Sequence, residues 1–87
     1  MAKENSKIHK MITEQELSQI EKRANESQQG PWIAYIEGRD HESGDDFIKT
    51  GGEDLYVYGA TDEDLDFIAN SRQDIIRLIS EIRELKK

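Results

Sequence analysis

Few side chains in this sequence are of the types that perform covalent catalysis. The two histidines are His9 and His41, and Ser43 stands near His41 without the Gly-x-Ser-x-Gly turn that exposes a nucleophilic serine. The pair Gly51-Gly52 lacks the following lysine and hydroxyl residue of a phosphate-binding loop. The sequence holds no cysteine, which excludes disulfides, zinc–thiolate sites and thiol catalysis. We therefore expect a protein that is not an enzyme and requires no cofactor.

Acidic side chains crowd two predicted loops. The segment 40–46 holds four carboxylates, and the turn at 53–54 adds two more. Hard cations such as calcium need several oxygens that converge on one point, and here a glycine falls where the third ligand of a calcium loop should be. The spacing therefore does not match a calcium loop, and we expect solvated loop charge and no metal site; the sequence alone does not decide whether these loops bind another cation.

Aromatic side chains on predicted strands are the groups that could recognise a ligand. Trp32 either anchors the core or stacks on a ligand. Tyr56 and Tyr58 alternate with Leu55 and Val57, so the two tyrosines share a face that could be exposed to solvent. Such a face, edged by cationic side chains, could stack on a base or pack against a partner. Ordinary cross-strand pairing explains the same residues.

Composition sets the broad class of the protein. The 87 residues are 34% hydrophobic and 36% charged, with 19 acidic against 12 basic residues and a net charge of −7. A chain of this size forms one small domain, here predicted over 12–87 after a flexible stretch at 1–11. The negative charge disfavours direct binding to nucleic acid. No apolar run approaches the ~20 residues of a membrane span and no signal-peptide pattern is present, so we expect a soluble cytoplasmic protein.

The first predicted helix begins after Thr13, where Glu16 completes a capping box. Apolar residues recur at helical spacing from Leu17 to Ala24 and predict one thin buried face. We expect this helix to end at Gly30-Pro31, with Gly30 in the left-handed conformation, because proline cannot continue a helix.

Three short strands are predicted next, at 32–37, 47–50 and 55–58. Alternation places Trp32, Ala34 and Ile36 on one face of the first strand, with Ile33 and Tyr35 on the other. The loops between the strands are too short for parallel crossovers, so we expect a three-stranded antiparallel meander.

The C-terminal segment carries the strongest helical pattern. Thr61 and Asp64 form a second capping box, with Ala60 and Leu65 as its hydrophobic staple. Ser71 offers a second start, so residues 61–86 are predicted as one helix or a pair. The apolar side chains of this segment, from Ile75 to Leu85, either cover the sheet or, in part, pack against a second copy of the chain in a helix-to-helix homodimer. The expected fold is a small α+β domain of order α-βββ-αα. The apolar stripe consists of Ile75, Ile76, Leu78, Ile79, Ile82 and Leu85.

The sequence resembles small bacterial and phage-encoded proteins. Gly30-Pro31-Trp32, the central segment 43–52 and the run 59–75 carry the likeness, which covers residues 13–85. Phage early-region proteins of the Ea22-like kind have a similar pattern, with Gly-Pro-Trp followed by Asp-x-x-Phe-Ile-Ala and a closing helix. The resemblance implies a phage or prophage accessory protein, a context in which small non-enzymatic proteins often bind and disable host components. It implies no catalytic residue.

Two functions fit that context. In the first, the protein sequesters a small nucleotide-like signalling molecule of host defence, in a pocket with stacking aromatics and cationic contacts. In the second, it is an acidic inhibitor or nucleic-acid mimic that binds a basic host protein, and the carboxylates at 40–46, 53–54 and 62–66 supply the charge. Both place it in the host cytoplasm. The candidate ligand contacts are Trp32, Arg39, Lys49, Thr50, Gly51, Tyr56 and Arg72.

Overall fold

Two helices and two short strands make up the structure. The computed structural model describes residues 11–42 and 44–87. Helix α1 (Glu14–Glu26) is followed by strands β1 (Ile33–Tyr35) and β2 (Phe47–Lys49), and helix α2 (Asp62–Leu85) ends the fold. The predicted α+β class is confirmed. The predicted flexible stretch at 1–11 lies, except for Met11, outside the described residues.

Helix α1 starts as predicted but ends earlier. The Thr13 hydroxyl accepts from the Glu16 backbone N–H at 3.0 Å, and the Glu16 carboxylate accepts from the Thr13 N–H at 2.8 Å. At the other end, the Ser27 hydroxyl and N–H both donate to the Ala24 carbonyl, which satisfies the last turn. The predicted left-handed cap at Gly30 is wrong, since the glycines with positive φ are Gly38, Gly44 and Gly59.

The sheet has two strands, and the predicted three-stranded meander is not confirmed. Strands β1 and β2 pair antiparallel, with Ala34 opposite Ile48. Ile48 and Leu55 exchange backbone hydrogen bonds of 2.8 and 2.9 Å, but this is an isolated bridge. After this bridge, Val57 and Ala60 pack against the core cluster, as Leu55 does.

Helix α2 is a single helix of 24 residues, which settles the alternative of one helix or two. The Thr61 hydroxyl accepts from the Asp64 N–H at 3.0 Å, as the capping pattern predicts. Ser71 lies inside this helix and does not start a new one; its hydroxyl donates to the Ile68 carbonyl, three residues earlier, at 2.7 Å. Neither helix in the described ranges offers an apolar stretch long enough to cross a membrane.

The core lies between α2 and one face of the sheet. Alternation along β1 and β2 decides which side chains enter it. Beyond the sheet, α2 contacts α1, where Leu17 and Ile79 are both buried. Arg83 ties these two helices together through ion pairs of 2.7 Å with Glu14 and Glu21. The hydrogen bond from Arg83 holds the pKa of Glu14 below its usual value. The core cluster consists of Ala34, Ile36, Ile48, Leu65 and Ala69.

Candidate anion-binding site

The carboxamide of Gln73 on α2 fixes the backbone at Trp32. Gln73 Oε1 accepts from the Trp32 N–H at 3.0 Å, and Gln73 Nε2 donates to the Trp32 carbonyl at 3.0 Å. The indole N–H of Trp32 donates to the Gln28 carbonyl at 2.8 Å. Gln73 thus occupies both backbone groups of Trp32, as a neighbouring strand would, and sets the indole beside α2.

Arg72 lies next to this junction. Its Nε donates to the Ser27 hydroxyl at 2.9 Å, which joins α2 to the end of α1. A Cβ atom placed on Gly30 would lie 2.6 Å from Arg72 Nη1. Glycine at this position therefore leaves the room that the guanidinium occupies.

Arg72 belongs to the lining of two open grooves, which share no other residue, and together we call these grooves the arginine cleft. The larger groove has a volume of about 720 Å³ and is lined by Arg72, Arg77 and the polar side chains of Asn25, Gln29 and Ser80, among others. The smaller groove has a volume of about 320 Å³, and its lining includes Arg23, Arg72, Trp32 and Ile75. Both grooves are within or close to the size range of small-molecule sites.

The arginines of the cleft differ from the other arginines in their partners. Arg39 and Arg83 are held in ion pairs with carboxylates. Within the described part of the chain, Arg23, Arg72 and Arg77 make no ion pair. Glu81 also lines the larger groove, so the cleft holds three arginines against one carboxylate. A chain with a net charge of −7 therefore carries a local concentration of positive charge.

Arg39, a predicted ligand contact, lies away from the cleft and is committed to carboxylates. Its Nη1 and Nη2 donate to the two oxygens of Asp66 at 2.9 and 3.0 Å, and its Nε donates to Asp40. Arg39 holds the pKa of Asp66 below its usual value, and the backbone N–H of Ile36 with Arg39 does the same for Asp40. This network fastens the loop after β1 to the first turns of α2.

Thr50 and Gly51, two of the predicted ligand contacts, make hydrogen bonds within the fold. The buried Thr50 hydroxyl donates to the Glu53 carbonyl at 2.8 Å and accepts from the Gly52 N–H at 2.9 Å. The Gly51 N–H donates to the Gln29 carbonyl at 2.7 Å. A Cβ on Gly51 would lie 3.0 Å from that same carbonyl oxygen, which explains the glycine. Thr50 thus closes the turn after β2, and Gly51 joins that turn to the segment that follows α1.

Lys49 and Tyr56 lie on the outer face of the sheet. The Tyr56 ring packs against Phe47 with centroids 5.7 Å apart, and Phe47 stacks on Tyr35 at 5.3 Å. Tyr56 and Tyr58 are both exposed, as the alternation predicts, while Lys49 is exposed beside Ile33. The Tyr35–Phe47 contact is that of a cross-strand pair, and this face is separate from the arginine cleft.

Of the seven predicted contacts, Trp32 and Arg72 come together. Sequence reasoning missed Arg23 and Arg77. Arg77 shares one helical face with Gln73 and Ser80, a signal that the sequence offers. Arg23 reaches the cleft only through the packing of α1 on α2, which no local pattern reveals. In residues 11–42 and 44–87, no group of three or more His, Asp or Glu side chains is placed to hold a metal ion.

The fold and the cleft define a small α+β protein with an open, arginine-lined site. Comparisons of the chain with protein families, curated proteins and solved structures found no match.

Proposed function

We propose that the protein is a non-enzymatic binding protein that captures a small anionic ligand with an aromatic part, such as a nucleotide, in the arginine cleft. The observation that supports this most is that three arginines without ion pairs line the two grooves, with Arg72 common to both and Trp32 beside Arg23 and Arg72 in the smaller one. In the phage accessory context that the resemblance implies, the ligand is a signalling nucleotide of host defence, sequestered in the cytoplasm.

The chemistry of each group fits such a ligand. A guanidinium presents paired N–H donors that match two oxygens of a phosphate, and these charge-assisted hydrogen bonds are stronger than neutral ones. Arg72 is already oriented by Ser27, so less rotamer entropy is lost on binding. The indole of Trp32, fixed by its bond to Gln28, offers an aromatic edge for a base. Among the residues that line the two grooves, Glu81 is the one carboxylate, and salt screens charges that lie more than about 8 Å away.

The alternative function, an acidic inhibitor or nucleic-acid mimic, needs rows of carboxylates that are free to meet a basic target. Several of the carboxylates at 40–46 and 62–66 are instead engaged within the chain. Asp40 accepts from the Ile36 N–H, Asp46 from the Glu37 N–H and Asp64 from the Thr61 N–H. This internal use favours ligand capture over mimicry.

The first test of the proposal is binding of inorganic tripolyphosphate and of adenosine triphosphate, followed by NMR of the arginine Nε–H groups. We expect the Arg72 and Arg77 signals to shift with both probes and the Trp32 indole signal to shift with the nucleotide alone. The double variant Arg72→Lys/Arg77→Gln should weaken binding at least about tenfold, because it removes paired donors that each contribute ~1.5–3 kcal/mol.

Lys49→Gln supplies the matched control, since Lys49 is an exposed cation outside the cleft. It should leave the affinity unchanged. Saturating polyphosphate without any shift at Arg72 and Arg77 would refute the proposal. An equal loss of affinity in Lys49→Gln would mean that the ligand is attracted by surface cations in general and not bound in the cleft.

A further inference from the structure

One face of α2 has no partner in the described part of the fold. Helix α2 is about 36 Å long for its 24 residues, whereas the 13 residues of α1 span about 20 Å. The first turns of α2 cover the sheet, and its later turns pack on α1 through a face that includes Ile79. Beside that face, Ile75, Leu78 and Leu85 are 38%, 58% and 84% exposed.

The exposed residues follow the spacing of a coiled coil. With the half-buried Ile82, the positions 75, 78, 82 and 85 alternate steps of three and four, which is the pattern of a and d positions in a heptad repeat. Isoleucine occupies both a positions, Ile75 and Ile82, and leucine occupies both d positions, Leu78 and Leu85. This combination favours two parallel strands over three or four.

The charges beside this stripe fit a second copy of the same chain. In this register Glu81 takes a g position and Lys86 takes the e position five residues later. In a parallel dimer, a g side chain faces the e side chain of the partner helix. Glu81 of one copy therefore meets Lys86 of the other, twice by symmetry. Lys86 donates to the Ile12 carbonyl at 2.7 Å. An ammonium group has three N–H donors, so two remain that can donate to the carboxylate of the partner's Glu81.

We infer that the protein forms a parallel homodimer in which Ile75, Leu78, Ile82 and Leu85 of two α2 helices interlock. Helix α2 is already formed in the monomer and is held to α1 by the ion pairs of Arg83. The free energy of association is therefore not reduced by the unfavourable free energy of forming a helix. Ile75 also lines the smaller groove of the arginine cleft, so the partner helix passes beside Trp32 and Arg72. The inference does not depend on the ligand.

Sedimentation equilibrium and cysteine cross-linking test the dimer and its orientation. The chain has no cysteine, so Leu85→Cys introduces a single thiol. In a parallel dimer the two introduced thiols face each other at a d position, and mild oxidation should join the chains. Ser80→Cys, on the opposite side of the same helix, is the control and should cross-link at least about tenfold more slowly.

Two further variants test the interface itself. Leu78→Glu places a charge at a d position and should raise the dissociation constant at least about tenfold without changing the circular dichroism of the monomer, since Leu78 is exposed there. Glu81→Lys and Lys86→Glu should each weaken the dimer, and the double reversal should restore it. A monomer mass for the wild-type chain, a trimer mass, or equal cross-linking at positions 80 and 85 would overturn the inference.

Discussion

Replacement of Ile48 by alanine should lower the free energy of unfolding by about 2–5 kcal/mol. Ile48 is 0% exposed, lies opposite Ala34 in the sheet and belongs to the core cluster with Leu65. The substitution removes three carbon atoms where the surrounding elements can only partly close the space. Its backbone bonds to Leu55 do not depend on the side chain. The loss is large for an 87-residue domain, whose total stability is about 4–13 kcal/mol.

Ile33→Ala is the matched control for Ile48→Ala. Ile33 has the same side chain on the neighbouring strand but points to the outer face and is 47% exposed, so its loss should cost less than about 1 kcal/mol. Urea unfolding followed by the fluorescence of Trp32, the one tryptophan of the chain, measures both variants. Equal losses would mean that β1 is displaced by one residue from the described register, which would turn Ile33 to the core face beside Ile48.

The sequence predicts the helix starts and strand faces of this fold because their causes are local. The capping boxes at Thr13 and Thr61 each lie within four residues, and alternation along β1 needs no distant partner. The end of α1 was mispredicted because Ser27 competes for the last carbonyls before Gly30 is reached. The third strand is not confirmed: the segment 55–58 has β propensity but pairs with β2 through the single bridge between Leu55 and Ile48.

In the arginine cleft, too, residue types can be read from the sequence, whereas contacts between distant residues cannot. Trp32 and Arg72 can be chosen by residue type, but their proximity results from contacts 41 and 45 residues apart in sequence, made by Gln73 and Ser27. Arg39 and Arg72 are equally good candidates by residue type. Only the tertiary structure shows that both terminal nitrogens of Arg39 donate to Asp66. Which arginines are available for a ligand is thus decided by their carboxylate partners.

The second large effect should come from Gln73. Gln73→Leu places an apolar side chain of similar size on α2. It removes the donor and the acceptor that pair with the Trp32 backbone, and also the hydrogen bond to the Ala69 carbonyl. Partly buried backbone groups left without partners cost about 1–3 kcal/mol each, so we expect a total loss of roughly 2–6 kcal/mol for the two groups of Trp32. Chemical unfolding measures it. Gln19→Leu, on the exposed side of α1, should change stability by less than about 0.5 kcal/mol.

Gln73→Glu separates the hydrogen bonds from the packing. The ionised carboxylate still accepts from the Trp32 N–H but cannot donate to the Trp32 carbonyl, whereas the protonated acid can do both. The folded chain therefore favours the protonated form and raises the pKa of the introduced carboxyl above its unfolded value of about 4.3. The stability that its proton supplies is fully present below that value and is lost as the pH rises through the folded pKa. Relative to wild type, the deficit of Gln73→Glu should therefore be smallest in acid and largest at neutral pH. A deficit independent of pH would mean that Gln73 contributes by packing and that the position of Trp32 beside the arginine cleft is set by other contacts.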